Sequence, residues 1–164
     1  MGFDAFIKIK DAPGESTDDK HKDWIEVMSF SLAVSQPHGG QMSATGSIAG
    51  GRADFTDLNF SKYLDKSTPK LNHFCAKGEH IDEVNLELCQ AAGDKAKYMD
   101  YKFTNCFVTS ISTGGSQGGS DQRPVDSVSI RFGKVEWTYT HFDKAGKKQG
   151  EAKNNWSVVE NKGG

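Results

Sequence analysis

The chain has 164 residues, with 20 Lys and Arg against 22 Asp and Glu and a formal net charge of −2. That length suits one domain with a sizeable core, expected to span residues 1–164. Interspersed charges of both signs mark neither a nucleic-acid partner nor an anionic membrane surface, and no apolar run approaches the ~20 residues of a membrane span. Cys75, Cys89 and Cys106 are odd in number and widely spaced, which fits reduced core thiols rather than a disulfide framework. Met1 to Phe6 has no basic region, apolar stretch or cleavage site, so folding in the cytoplasm is expected.

Phe3 to Lys10 alternates Phe3, Ala5, Ile7 and Ile9 against Asp4, Lys8 and Lys10, the pattern of a half-buried strand. Asp11 to Lys22 is polar and charged. It reads as a solvated loop or as an arm reaching a neighbouring subunit. Trp24 to Gln36 reads as one strand with Met28, Phe30, Leu32 and Val34 on one face. Its other face carries Ser29, Ser31, Ala33 and Ser35 where a solvent face usually has Lys and Glu. Such a face suits a smooth wall or close approach of another surface, a barrel interior, or a Ser-rich exposed strand.

A Gly-rich loop from Gln36 to Gly51 leads to a strand over Arg52 to Phe60. The single helix is next. Ser67 or Thr68 is placed to cap it, Pro69 falls at the first helical position, and Gly78 is placed to end it. Leu71, Phe74 and Cys75 form its apolar stripe, and Ser61 is expected to begin a short turn ahead of it. Ile81 to Ala91 alternates with Val84, Leu86 and Leu88 inward, and Ala92-Gly93-Asp94 reads as a hairpin turn. Lys95 to Ser112 places Met99, Tyr101, Phe103, Phe107 and Ile111 on one face. After a second Gly/Ser loop, Thr113 to Asp121, the strand Val125 to Phe142 changes phase at Gly133, which reads as a bulge or corner. A Lys/Gly loop over Lys144 to Gly150 precedes a last short strand at Trp156 and Val158. The class is mainly β: a small antiparallel β-barrel or two-sheet protomer, closed or nearly closed, with one principal α-helix.

Catalytic patterns are weak. Gly114-Gly115-Ser116-Gln117-Gly118 matches the Gly-x-Ser-x-Gly elbow literally, yet the next segment of chain is strand-like rather than helical. Gly46 and Gly51 have phosphate-loop spacing, but Arg52-Ala53 stands where Lys and Ser/Thr are needed. His73, Cys75 and His80 do not converge on a helix and no Cys-x-x-Cys exists, so no metal or cofactor is implied. Two readings from other classes stay open: a β-barrel hydrolase using Ser116 with a histidine, and a carbohydrate-binding module presenting Trp24 or Trp137.

The motifs Phe6-Ile7-Lys8-Ile9, Gly14-Glu15-Ser16 and Trp24-Ile25-Glu26-Val27, with the run Ser61 to Leu71 (Ser-Lys-Tyr-Leu-Asp-Lys-Ser-Thr-Pro-Lys-Leu), resemble the Hcp family. Val84-x-Leu86-x-Leu88-Cys89, Ser110-x-Ser112-Thr113-Gly114-Gly115-Ser116 and Phe132-x-Lys134-Val135-x-Trp137-x-Tyr139 extend the likeness over nearly the whole chain. These are the haemolysin co-regulated, tube-forming proteins of bacterial type VI secretion. The resemblance implies a homo-hexameric ring with a wide channel, stacked into an inner tube that a contractile sheath propels with a spike protein at its tip. It implies secreted effectors held in the ring, export without a cleavable signal peptide, no enzyme activity, no nucleic acid and no membrane insertion. On this reading Ser29 and Ser31 line part of the lumen. Glu15, Ser16, Asp18, Asp19 and Lys20 form an arm between stacked rings, and Leu71, Phe74 and Cys75 dock the helix.

Overall fold

Apolar alternation is plainest in β1 (Phe3–Ile9) and β7 (Ile81–Gln90), and these two pair antiparallel in the computed structural model, which describes residues 2–37, 51–118 and 123–164. Ala5, Ile7 and Ile9 meet Val84, Leu86 and Leu88 on the buried side. Each such side chain contributes about 1.5–3 kcal/mol by leaving water.

β8 (Lys97–Gly114) and β9 (Val125–Phe142) are eighteen residues each and form one long hairpin. Both bend. Gly133 is buried at the phase change of β9, beside Asn105 of β8. Asn105 takes a left-handed φ of 56°, and this exchanges the two faces of β8. Cys106 and Val108 are therefore buried, while Phe107, expected inside, is 40% exposed. A register shift between Val108 and Ser110 restores the phase, and Ile111 packs on the core again.

The N-terminal half of β9 pairs with β6 (Leu58–Tyr63), and its C-terminal half pairs with β10 (Lys148–Ser157). β6 runs through Ser61, so no turn starts there, and the expected strand from Arg52 is instead β6 plus the two-residue β5 (Asp54–Phe55). The expected strand Trp24 to Gln36 is likewise broken into β2 (Ile25–Val27), β3 (Ser29–Ser31) and β4 (Val34–Ser35). The break has a physical cause. β2 pairs with β1, but the Met28 N–H donates to the Ser61 carbonyl at 2.8 Å, handing the chain to β6, with which β3 pairs. Met28 itself is 48% exposed. The circuit β1–β7–β8–β9–β6–β3 returns to β1 through this covalent bend, so of the expected closed or nearly closed forms the sheet takes the second, rolled and open as a ladder at Met28.

β10 and β11 (Lys162–Gly163) correct the expected C-terminal end. The β9–β10 connection is a tight turn, closed by the Asp143 N–H on the Lys147 carbonyl at 3.0 Å, and Val158 lies beyond the strand. Residues 38–50 of the Gln36–Gly51 loop and 119–121 of the Thr113–Asp121 loop lie outside the described residues, and Thr113 and Gly114 belong to β8.

The helix α1 (Thr68–Lys77) packs along β8. Pro69 sits in its first turn and Gly78, at φ 68°, ends it by donating to the Cys75 carbonyl. Leu71 and Phe74 are buried and Cys75 is half-buried. Ser67 occupies the N-cap position, but its hydroxyl turns to Asp65 instead of capping the helix.

Candidate functional site

Alternation around buried Phe60 and Val128 and half-buried Phe30 and Ile111 directs short polar side chains to the opposite face of four adjacent strands. Ser29, Ser61, Ser127 and Ser112 stand in register across β3, β6, β9 and β8. Ser31, Asn59, Ser129 and Ser110 form the next row. With strands about 4.8 Å apart, the result is a wall roughly 15 Å wide without a charge in either row. Ser29 and Ser61 hydroxyls meet at 2.5 Å, and the Ser129 hydroxyl donates to the Asn59 side-chain oxygen. The first charges appear at the margin, where Asp57 and Arg131 pair at 3.2 Å.

Behind the wall lies a buried polar node. Lys62 and Asp126, each with no exposed surface, are neighbours in sequence of Ser61 and Ser127 and point the other way. The Lys62 ammonium reaches Asp126 at 2.8 Å, Asp65 at 2.9 Å and the Thr68 hydroxyl at 3.0 Å. Thr113 and Thr68 also donate to the Asp126 carboxylate. Burial pushes the Asp126 carboxyl up, but the Lys62 ammonium and the two hydroxyls outweigh it and hold the group below the ordinary carboxylate range. This node explains the Lys62, Asp65 and Thr68 positions of the Ser61–Leu71 run: they tie β6 to the start of α1 and the base of the β8–β9 hairpin.

The segment between β1 and β2 is neither a solvated loop nor a free arm. Its backbone folds back on itself: Gly14 N–H donates to the Asp23 carbonyl, Ser16 N–H to Trp24, and Asp23 N–H to Ser16. Gly14 is required there, since a Cβ would lie 2.5 Å from the Trp24 carbonyl oxygen. Ser16, expected in the exposed arm, is 3% exposed and accepts the Asp18 N–H on its hydroxyl. Asp18 is half-buried, whereas Glu15, Asp19 and Lys20 are exposed. At the centre is His21, 4% exposed and stacked on Phe6 with ring centroids 4.2 Å apart. Its ring nitrogens lie 2.7 Å from Asp18 and 3.2 Å from Glu87. The hydrogen bond with His21 holds the Asp18 carboxyl below its usual range, against an opposing effect of burial.

The other candidates are dispersed. Ser116 is exposed in an extended stretch beyond β8, the next described element is strand β9, and so the strand-to-helix elbow is missing. Trp24 packs perpendicular to the His21 ring and Trp137 stacks on Phe55, so both rings are engaged within the fold. Among the described residues no three His, Cys, Asp or Glu converge as a metal site, and no helix is long and apolar enough to cross a membrane.

Residues 6–139 match the family model described as "Type VI secretion system effector, Hcp". The chain belongs to the Hcp family. It is 36% identical over 163 residues to protein hcp1 of Pseudomonas aeruginosa, covering 98% of each chain. It is similar in structure to a type six secretion system protein, with a TM-score of 0.93 at 36% identity over 99% of this chain and 100% of that one. Hcp1 from Salmonella typhimurium gives a TM-score of 0.79 at 32% identity over 99% of each chain. The chain is accordingly a structural subunit of the type VI secretion tube, and neither the hydrolase nor the carbohydrate reading finds support. Sequence reasoning reached Ser29 and Ser31 but missed the rest of the wall. The signal was present as a fourfold triplet of small polar, apolar and Ser: Ser29-Phe30-Ser31, Asn59-Phe60-Ser61, Ser110-Ile111-Ser112 and Ser127-Val128-Ser129.

Proposed function

We propose that this chain forms a homo-hexameric ring whose channel is lined by the serine wall, and that rings stack into the type VI inner tube. The observation that carries this reading is the wall itself. Eight short uncharged side chains in register across four strands make a surface of low relief, unlike the Lys- and Glu-bearing face a solvated sheet presents. Its margins support ring closure. β3 on one side and the Phe107–Gly114 half of β8 on the other each have one paired neighbour among the described residues. Two such edges on opposite sides of one protomer suit a heterologous contact that closes by rotation.

Within this reading secreted effectors lie against Ser29, Ser31 and their row partners. The contractile sheath surrounds the stack and the spike protein sits on its end. Assembly takes place in the cytoplasm, and export proceeds without a cleaved leader. Glu15, Asp18, Asp19 and Lys20 lie on the segment assigned to ring-to-ring contact, and the family's role is structural rather than catalytic. Native mass spectrometry and negative-stain microscopy of the purified chain test the core of the proposal: a sixfold mass and rings with an open centre are expected. A monomer at micromolar concentration overturns it. Charge reversal at Glu15 and Asp19, both exposed, is expected to leave ring mass intact and shorten tubes, because like charges at an interface oppose docking.

A further inference from the structure

Besides the contacts of Lys20 with the Asp94 carbonyl and of Asp18 with Lys95, the Asp11–Lys22 segment is joined to the body of the sheet by one aromatic ring that can carry either one N–H or two. His21 lies between Asp18, which belongs to the segment, and Glu87, which belongs to β7. A neutral imidazole has a single N–H and serves one of these carboxylates; the imidazolium serves both at once. Phe6 beneath the ring and Trp24 at its edge keep it from rotating away, at centroid distances of 4.2 and 4.8 Å. We propose that His21 positions this segment as a bolt that closes only in the doubly protonated form, so that the presentation of Glu15 and Asp19 to the next ring is switched by pH. The bolt stands on the geometry of the protomer; its effect on stacking rests on the assignment of the segment to ring-to-ring contact.

Charged groups reach the ring and its two partners from several elements packed around them. Asp18 is also reached by Lys95 from the β7–β8 turn at 3.4 Å, and Glu87 by Lys97 from β8 at 3.0 Å. These lysines give each carboxylate a second cationic partner beside the ring. Cys89 of β7 lies 3.9 Å from the ring, and burial pushes its thiol up to about 11. Asp4 and Lys8 of β1, Glu26 of β2, opposite Phe6, and Asp100 of β8, opposite Glu87, also bear charge on this side. The bolt is therefore closed while the ring carries both N–H groups between the two carboxylates, and it opens when the ring gives up one of them. At the acid end it opens as the carboxylates protonate, with Asp18 holding to lower pH than an ordinary carboxyl.

Nitrogen NMR of the His21 ring and amide hydrogen exchange, both on the full chain across pH, test this. The amides of Gly14, Ser16 and Asp23 report on the segment, with Ile7 in β1 as the reference. After correction for intrinsic exchange, their protection relative to Ile7 is expected to fall roughly ten- to a hundredfold with the same midpoint as the ring, the equilibrium equivalent of one charge-assisted hydrogen bond. In His21→Gln and in Glu87→Gln, which retains a neutral partner, that pH step should vanish. A ring with one proton throughout while the segment stays protected overturns the bolt, as does protection that ignores the ring's titration. If protection tracks the ring but tube length by microscopy does not change over the same range, the bolt stands and the switch on stacking is overturned.

Discussion

The two faces of the β8–β9 hairpin are made by the same strands and look nothing alike. Beyond the bend at Asn105 and Gly133, the solvent face is a lattice of long charged chains: Lys97 with Glu87 at 3.0 Å, Lys153 with Glu136 at 2.6 Å, Lys102 with Glu83 at 4.0 Å. On the other side of the bend, the outward positions are Ser110, Ser112, Ser127 and Ser129. The first face is what water selects, where each exposed pair contributes between nothing and about 1 kcal/mol. The second carries no such pairs within its serine rows, and the buried Lys62–Asp126 node lies behind it. The lesson is that a surface can be specified by what its back side buries.

The largest effect is expected from removing that backing. Lys62→Ala leaves Asp126 charged and buried without its partner, which should cost about 3–5 kcal/mol in chemical unfolding. Acid sharpens the same point. The Asp126 carboxyl is held below its ordinary value, so its contribution is fully present at neutral pH and is lost as pH falls through the folded-state value. In Asp126→Asn, part of the wild-type loss of stability on acidification should disappear. If Lys62→Ala instead unfolds at the wild-type midpoint, the node does not hold the wall.

A smaller effect is expected where the faces exchange. Asn105 holds its left-handed backbone by virtue of being asparagine, and a β-branched residue there is strained. Asn105→Val should cost about 1–3 kcal/mol, and Asn105→Gly should be close to neutral, in thermal unfolding. Equal melting temperatures for the two variants would show that the bend does not depend on this residue's conformation.

Much of this arrangement was legible in the chain. Pro69 and Gly78 bracketed α1, the alternation of β1 and β7 gave their buried faces, and Gly133 marked the bend of β9. What escaped had physical reasons. One left-handed residue at Asn105 inverts a parity argument for Phe107, and a single backbone hydrogen bond at Met28 cuts an apparently continuous strand. Nothing in the sequence shows that Lys62 and Asp126 meet across 64 positions. His21 lay within a charge run that composition assigns to solvent. β10 is exposed from Lys148 to Asn154 on both faces, so it has no alternation to find. The wall needed register, since a serine triplet on one strand is ordinary until three others align with it.

The smallest effect on stability, and the sharpest test of the comparison, comes from one substitution on each face. Lys153→Ala removes an exposed partner of Glu136 and should leave the melting temperature close to wild type, with any difference shrinking further with added salt. Ser31→Gln places a longer side chain on an exposed strand position and should shift stability by less than about 0.5 kcal/mol. The two variants should thus melt alike and part company in function. Around a sixfold ring, Ser31→Gln changes a whole belt of the channel, so an effector held there should lose affinity and accumulate less in the producing cell while rings and tubes persist. Lys153→Ala, away from the wall, should leave effector levels at wild type. Ring collapse in Ser31→Gln would move the serine into a packed interface. Unchanged effector levels in both would mean that the absence of charge in these rows serves the tube's own assembly, and that cargo grips another surface.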